Sequence, residues 1–502
     1  MSLAEFRDSP WAKSHSSYIG SALSLIPAPE YANSEVLVAG LYRTIGIENL
    51  SEGMVPTKGR ELERVVGQRR DRGTKPQSAA LEAEPFHALL HDVLESPKLK
   101  NQSTKRFVQV SPLVGETAIF SGSARLAGNP WPAGTLIRRM IWLGSENEAH
   151  AEAIWRELFV ALGVHDDDDV FARFLRDELS AWTETAWGRE CLIPGPDDAK
   201  CLPVGELDGL TSPARQFTRD LSAIIAAKPL MTRRQWTSLL EALIRIACVA
   251  HVVWLCEVQS MIWNLLRLAM NGDMIPDDVR PQIYPRELNY LTYGVGAVSE
   301  LKDRTSKYLR ARLGMNTVLW KLEDIGAPFS RKLSSAAVVS ALCKHIGDNR
   351  SKLASVIDIV DDLADRDARV LLCRKGVGAN IMEFARHVLY QRQAANPILR
   401  GYDQGYALRK QGATNSSPWV CMPGPVAVLA LVHCSLAGLT GPRSVHRLTQ
   451  HMAAYGIIVD HRDIAQNDLG HQLRTLGLVL DSPDAESGML LVPPFPQLRP
   501  GH

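Results

Sequence analysis

The chain has 502 residues, 45% of them hydrophobic and 22% charged, and its 56 Lys+Arg against 55 Asp+Glu leave a net charge of +1. That balance is ordinary for a globular protein, and at roughly 150 residues per domain the length suggests about three domains, or one large body with an appendage. It excludes a dedicated nucleic-acid coat, so any nucleic-acid contact has to be a local patch.

The first residues, MSLAEFRDSPWAKSHSS, hold no basic stretch followed by an apolar core, so no secretory signal is expected. Eight Cys are scattered without a CxxC pair, and Cys248, Cys256, Cys421 and Cys434 lie in strongly apolar runs. This usage fits free thiols in a reducing cytoplasm.

Ser34 to Ile45 predicts a helix with Ser34 as its cap, and Gly59 to Arg70 predicts a charged one. Gln68 to Pro76 follows as a basic, exposed loop. Pro85 to Glu95 predicts a helix with Pro85 at the tolerated first position. It carries His87 and His91 at i and i+4, a spacing that can bind a metal. Ala88 stands where a hydrolytic zinc helix needs Glu, so the pair reads as packing. Phe107–Val110 and Thr117–Phe120 predict short strands of a small β insert near residues 105–125.

Thr135 to Trp187 is helical in three pieces. Between two of them, His165 precedes Asp166, Asp167, Asp168 and Asp169. Carboxylates suit Mg²⁺ or Ca²⁺, but aspartates ahead of a helix also cap it and favour its positive end. Capping is the simpler reading. A Pro/Gly/Asp-rich stretch then predicts a linker or surface loop within 188–230.

Thr232 to Asn271 contains no Pro and no Gly and carries apolar residues at helical spacing, closing to a full ring from Ile246 to Cys256. A helix apolar all round is buried on all sides. Thr232 is the expected N-cap and Asn271-Gly272 the stop. The uncharged run between Arg245 and Glu257 is too short to span a bilayer, which takes roughly 20 apolar residues. Arg245, Glu257 and Arg267 each require a partner or an exit to water.

Gly272 to Gly296 is broken by prolines, and Tyr284, Tyr290 and Tyr293 make it a candidate contact surface. Ala297 to Asp324 predicts a second long helix, the most basic in the chain. Glu300–Arg304 and Asp303–Lys307 form i,i+4 pairs, leaving Arg310 and Arg312 as a candidate phosphate-facing patch. Leu333–Ile346, Ser351–Asp365 and Gly378–Gln393 predict three more helices. Gly376 and Gly378 do not form a phosphate loop, since no strand precedes them and no GK[ST] follows.

At the C-terminus, Pro425–Leu436, Ser444–Tyr455 and Asp463–Leu476 predict three helices. Leu478–Leu480 and Met489–Val492 then flank a turn, as two strands of a hairpin. Three helices and a hairpin resemble a winged helix, a helix-turn-helix variant, over about residues 418–495. In DNA-binding members the last helix enters the major groove and the wing touches backbone. The residues in that role here are His461, Arg462, Gln466, Asn467, His471, Gln472 and Arg474. From Thr440 to His502, however, five Arg face six acids, and the wing carries only acids, which phosphate repels. Winged helices also serve as protein-docking modules. The wider region Tyr402 to Pro494, with its aromatic/Gly lead-in, its Tyr455-Gly456-Ile457 turn and its Leu476–Glu486 wing, resembles large bacterial proteins of anti-phage defence islands. Such proteins are typically encoded beside ATPases, methylases or nucleases.

The expected architecture is mainly α: a large helical body around a long buried helix, the small β insert and a C-terminal winged helix. Its parts are an N-terminal helical domain (1–187), a linker (188–230), a central helical domain (231–395) and the C-terminal module (396–502). No nucleophile elbow, Walker loop, zinc set or kinase set occurs in the sequence. The expected function is a non-catalytic, cytoplasmic adaptor without cofactor or metal that holds a protein partner, or a partner together with DNA, through its C-terminal winged helix as one component of a multi-protein bacterial system such as anti-phage defence, with no membrane contact. A DNA-binding regulator or sensor of double-stranded DNA is the alternative. A metal-dependent nuclease or hydrolase centred on His165 and Asp166–Asp169 is a further one.

Overall fold

The helix Arg233–Asn271, 39 residues and about 60 Å long, threads the molecule. Thr232 and Gln235 form a capping box at its start, and Gly272 ends it with φ +84°, a conformation that costs glycine little. Every residue from Ala242 to Cys256 is buried, so the apolar ring is covered by protein on all sides. Its charged residues are resolved in the two ways available to them. Arg245 pairs with Asp403 and Glu257 with Arg304, while Arg267 reaches solvent.

The computed structural model describes residues 2–26, 28–50, 55, 68, 82, 84–85, 112–119, 131–180, 187–195, 199–392, 401–412, 414, 416–481 and 489–495. Among these the chain is mainly helical. In chain order the helices that build the body are α1 (Ser34–Gly46), α2 (Ala133–Gly144), α3 (Glu148–Leu162), α4 (Val170–Ser180), α5 (Pro213–Ala226), α6 (the central Arg233–Asn271), α7 (Val298–Asp324), α8 (Ala336–Asp348), α9 (Val356–Arg366) and α10 (Gly376–Leu389). The C-terminal helices are α11 (Pro425–Ser435), α12 (His446–Ala454) and α13 (Asp468–Thr475). Helices α1, α2, α5, α7, α8, α10 and α11 all pack on α6. One apolar core therefore runs from Leu3 to Leu491. Small residues let some axes approach closely: a Cβ on Gly134 of α2 would lie 2.2 Å from the Gly40 carbonyl oxygen of α1.

The strands are short. They are β1 (Leu291–Thr292), β2 (Leu408–Lys410), β3 (Trp419–Cys421), β4 (Arg443–Ser444), β5 (Ile457–Ile458), β6 (Val479–Asp481) and β7 (Met489–Leu491). Strands β2 and β3 form an antiparallel pair, β1 runs parallel to β5, and β4, β7 and β6 form an antiparallel sheet in that order.

Four expectations are corrected. Thr117–Phe120 is not a strand where it is described: Gly115–Ile119 is a buried 3₁₀ turn, closed by the Thr117 hydroxyl donating to the Val114 carbonyl. The stretch 188–230 is not only linker, because it contains α5. Pro213 occupies the first turn of α5, Ser212 caps it, and Phe217, Leu221 and Ile224 enter the core. Tyr284 and Tyr290 are buried rather than a contact surface, and the Tyr284 hydroxyl donates to Glu206. Arg304 reaches across to Glu257 on α6 instead of pairing along its own helix, whereas Asp303–Lys307 does pair as expected, at 2.6 Å. The helix at Gly59–Arg70 (Gln68 apart), the basic loop that follows it, His87, His91, the strand Phe107–Val110 and the wing turn 482–488 lie outside the described residues.

Candidate functional site

The C-terminal module is assembled from α11, β4, α12, α13, β6 and β7. Helix α11 is apolar on nearly every side and wedges between α5, α6 and α12. It thereby positions the shorter, more polar α12, while α13 packs on β6. Helix α13 starts later than expected, at Asp468 rather than Asp463. Asn467 caps it by accepting from the Gly470 amide at 3.1 Å, and residues 461–466 form turns. The loop and helix meet closely. A Cβ on Gly470 would fall 1.9 Å from the Ile464 carbonyl oxygen, so only glycine fits there without a shift.

Leu469 and Leu473 anchor α13 in the core while His471 and Arg474 stay exposed and Gln472 is half-buried. His461, Arg462 and Gln466 are exposed on the preceding turns, and the His461 ring meets that of His446 edge-on at 5.2 Å. Arg474 donates to the Ala465 carbonyl at 2.9 Å, which ties helix to loop. The structure thus gathers all seven residues on one stretch of surface. Asn467 is committed to its cap. Asp460, Asp463 and Asp468 are exposed on the same stretch, so the surface is of mixed charge.

Arg310 and Arg312 do not form a patch. Arg310 is exposed and pairs with Asp361 of α9. Arg312 is 5% exposed, donates to the Trp11 carbonyl at 2.8 Å, and lies over the Trp11 ring. The sequence held the signal: Leu301, Thr305, Tyr308 and Arg312 recur at helical spacing and line the buried face of α7.

His165 and its aspartates act as caps and ties. Asp168 accepts from the His165 amide at 2.9 Å and pairs with Lys228 at 3.0 Å. Asp169 accepts from the amides of Ala172 and Arg233, so it serves the starts of both α4 and α6. Among the described residues no group of three His, Cys, Asp or Glu gathers as a metal site.

A second feature went unseen in the sequence. Asp403 sits 3% exposed between Arg245 and Arg392, with Nη1 of Arg245 at 2.6 Å and Nε of Arg392 at 3.2 Å. Burial alone would raise the Asp403 pKa, but the two guanidinium groups hold it well below the usual carboxylate range. Arg392 also meets Glu241 and Glu35. A cavity of about 460 Å³ opens beside this cluster, between the first turns of α6 and the C-terminal module. Arg234, Glu241, Arg392, Val426, Leu429 and Phe495 are among its walls. The cluster forms the joint between body and module.

No family model matches the chain, and neither a curated relative nor a solved structure matches it.

Proposed function

We propose that residues 418–495 form a winged helix and that the protein is a non-catalytic adaptor holding a protein partner through it. The observation that carries this reading is the order α11–β4–α12–β5–α13–β6–β7, in which β4, β7 and β6 form one sheet in that order while β5 pairs with β1 of the body. That is the arrangement of three helices and a three-stranded sheet expected of the helix-turn-helix variant. Its last helix presents His471 and Arg474 to solvent beside the exposed turns carrying His461, Arg462 and Gln466.

Protein is favoured over DNA by charge. Asp468 occupies the first turn of α13, where a phosphate would otherwise be drawn, and Asp460 and Asp463 flank Arg462. A mixed-charge surface suits a partner with complementary charges and is poorly matched to uniformly anionic backbone. The resemblance of the Tyr402–Pro494 region supports a setting in a multi-protein bacterial system such as anti-phage defence.

The test is recovery of the full-length chain from its native host, with and without nuclease treatment. The expected result is a stoichiometric partner that survives nuclease and is lost in Arg462→Glu. DNA binding is the second reading, resting on the exposed His471 and Arg474. It predicts duplex affinity that falls steeply with salt and is lost in Arg474→Glu. Nuclease-sensitive recovery together with such a salt slope would replace the adaptor by the DNA reading.

A further inference from the structure

We propose that the cavity of about 460 Å³ at the joint between body and module binds a small amphiphilic anion, an apolar molecule ending in one carboxylate. Its size falls within the roughly 300–1,000 Å³ of pockets that hold small molecules. None of the exposed residues of α13 lines it, so its ligand is independent of what α13 holds.

Apolar side chains from three stretches form much of the wall. Leu230 and Met231 come from the turn before α6, Val426 and Leu429 from the first turns of α11, and Phe495 from the segment after β7. All five are only half-buried. Scattered single apolar side chains are normal on a protein surface, whereas their convergence on one concavity marks a binding site. The wall is also braced without a ligand. The Gln404 carbonyl accepts from the Val426 amide at 3.1 Å, fixing the start of α11 against the turn at 402–405. Asp403 accepts from the Gly405 amide at 3.2 Å, and the Phe495 ring meets His433 edge-on at 5.1 Å. A preformed pocket lowers the ordering cost of binding.

The sign of the ligand's charge follows from which lining group is uncommitted. Arg392 donates to Asp403 and Glu241, and Glu35 joins the same guanidinium. Glu241 also has Arg245 at 3.9 Å. Burial pushes the Glu241 carboxyl up, which eases the excess of three carboxylates over two guanidinium groups. Arg234 stands apart. It is exposed, lines the cavity from the first turn of α6, and its guanidinium has no partner among the described residues. Ser238 and Glu241 follow it at i+4 and i+7, so the three share one helix face, with the paired carboxylates about 10 Å further along the axis. A ligand carboxylate matches the Arg234 guanidinium in a two-pronged pair, and the positive end of α6 favours the same sign.

The experiment is calorimetric titration of the full-length protein with decanoate, below the concentration at which it forms micelles, with decanol and decylammonium as neutral and cationic counterparts. Saturable one-site binding of decanoate, about tenfold tighter than of decanol, is the expected result. Arg234→Gln is expected to erase that difference, and Leu429→Trp, which fills the cavity, to abolish binding of both. Absence of saturable decanoate binding overturns the proposal. So does equal or tighter binding of decanol or decylammonium, and so does unchanged decanoate affinity in either variant. If Leu429→Trp fails to fold by circular dichroism, Ser238→Trp fills the same cavity from α6.

Discussion

Arg245 and Asp403 are separated by 158 residues of chain and by 2.6 Å in space. Arg245 is fully buried on the central helix; its Nη1 and Nη2 both donate to Asp403, Nη2 also donates to the Tyr390 carbonyl, and Nε donates to that of Val388. Without the Asp403 carboxylate, Arg245 keeps only the more distant Glu241, at 3.9 Å, as counter-ion, and breaking a buried pair costs about 3–5 kcal/mol. Asp403→Asn is therefore expected to lower stability by that amount, measured as a shift in the urea midpoint. The pH dependence follows from the depressed pKa of Asp403. The contribution is complete above the unfolded value near 4 and is lost as pH falls from there through the lower folded value.

His251 sets a different acid response. Burial, then Arg139, pushes its pKa down to about 3. Below about pH 6.5 the unfolded chain takes up a proton that the native ring does not, so stability falls as pH drops from 6.5 toward 3. The full loss is on the order of 5 kcal/mol. His251→Leu is expected to flatten this part of a stability-against-pH curve without altering the loss attributed to Asp403 below pH 4.

Gly470 tests the geometry of the outer module. With Ile464 backbone in the way, Gly470→Ala must displace α13 from its loop. Overpacking of this kind costs about 1–3 kcal/mol. Faster amide exchange confined to residues 457–481 is the expected signature, with α6 and α7 remaining protected.

Exposed positions behave in the opposite way. Arg462→Glu and His471→Ala touch little of the fold, so each is expected to change stability by less than about 0.5 kcal/mol. Partner retention is expected to fall in both. A melting temperature that drops as far as retention does would point to a structural role instead.

The elements legible in the sequence are those whose signals are local. Thr232 and Gly272 bound the central helix because a hydroxyl cap and a left-handed glycine act within a turn of the ends they mark. The interior position of that helix follows from its apolar ring. Helix α5 was obscured because Pro213 reads as a breaker until it is placed in a first turn. Strand β4 is hidden at the start of the stretch Ser444–Tyr455, which reads as helix, since two residues, Arg443 and Ser444, become a strand only by pairing with Leu491 and Leu490. The Asp403 cluster was invisible because Glu35, Glu241, Arg245 and Arg392 meet it through tertiary contacts alone. Of the surface residues singled out, seven share one region because loop and helix are contiguous in sequence. Arg312 fell on the wrong side of its helix because charge was weighed ahead of spacing.

The parallel pairing of Leu291 with Ile457 joins the end of the chain to the loop after the central helix. The Tyr455 hydroxyl adds a bond at 2.7 Å to Asp220, itself 2% exposed on α5. Severing the chain near residue 400 would therefore orphan the edge of Ile457–Ile458, take Asp403 away from Arg245 and lay bare the flank of α11 around Ala427 and Leu431. Neither half is expected to survive alone. The orientation of the surface carrying Arg462 and His471 is consequently one that the whole molecule dictates.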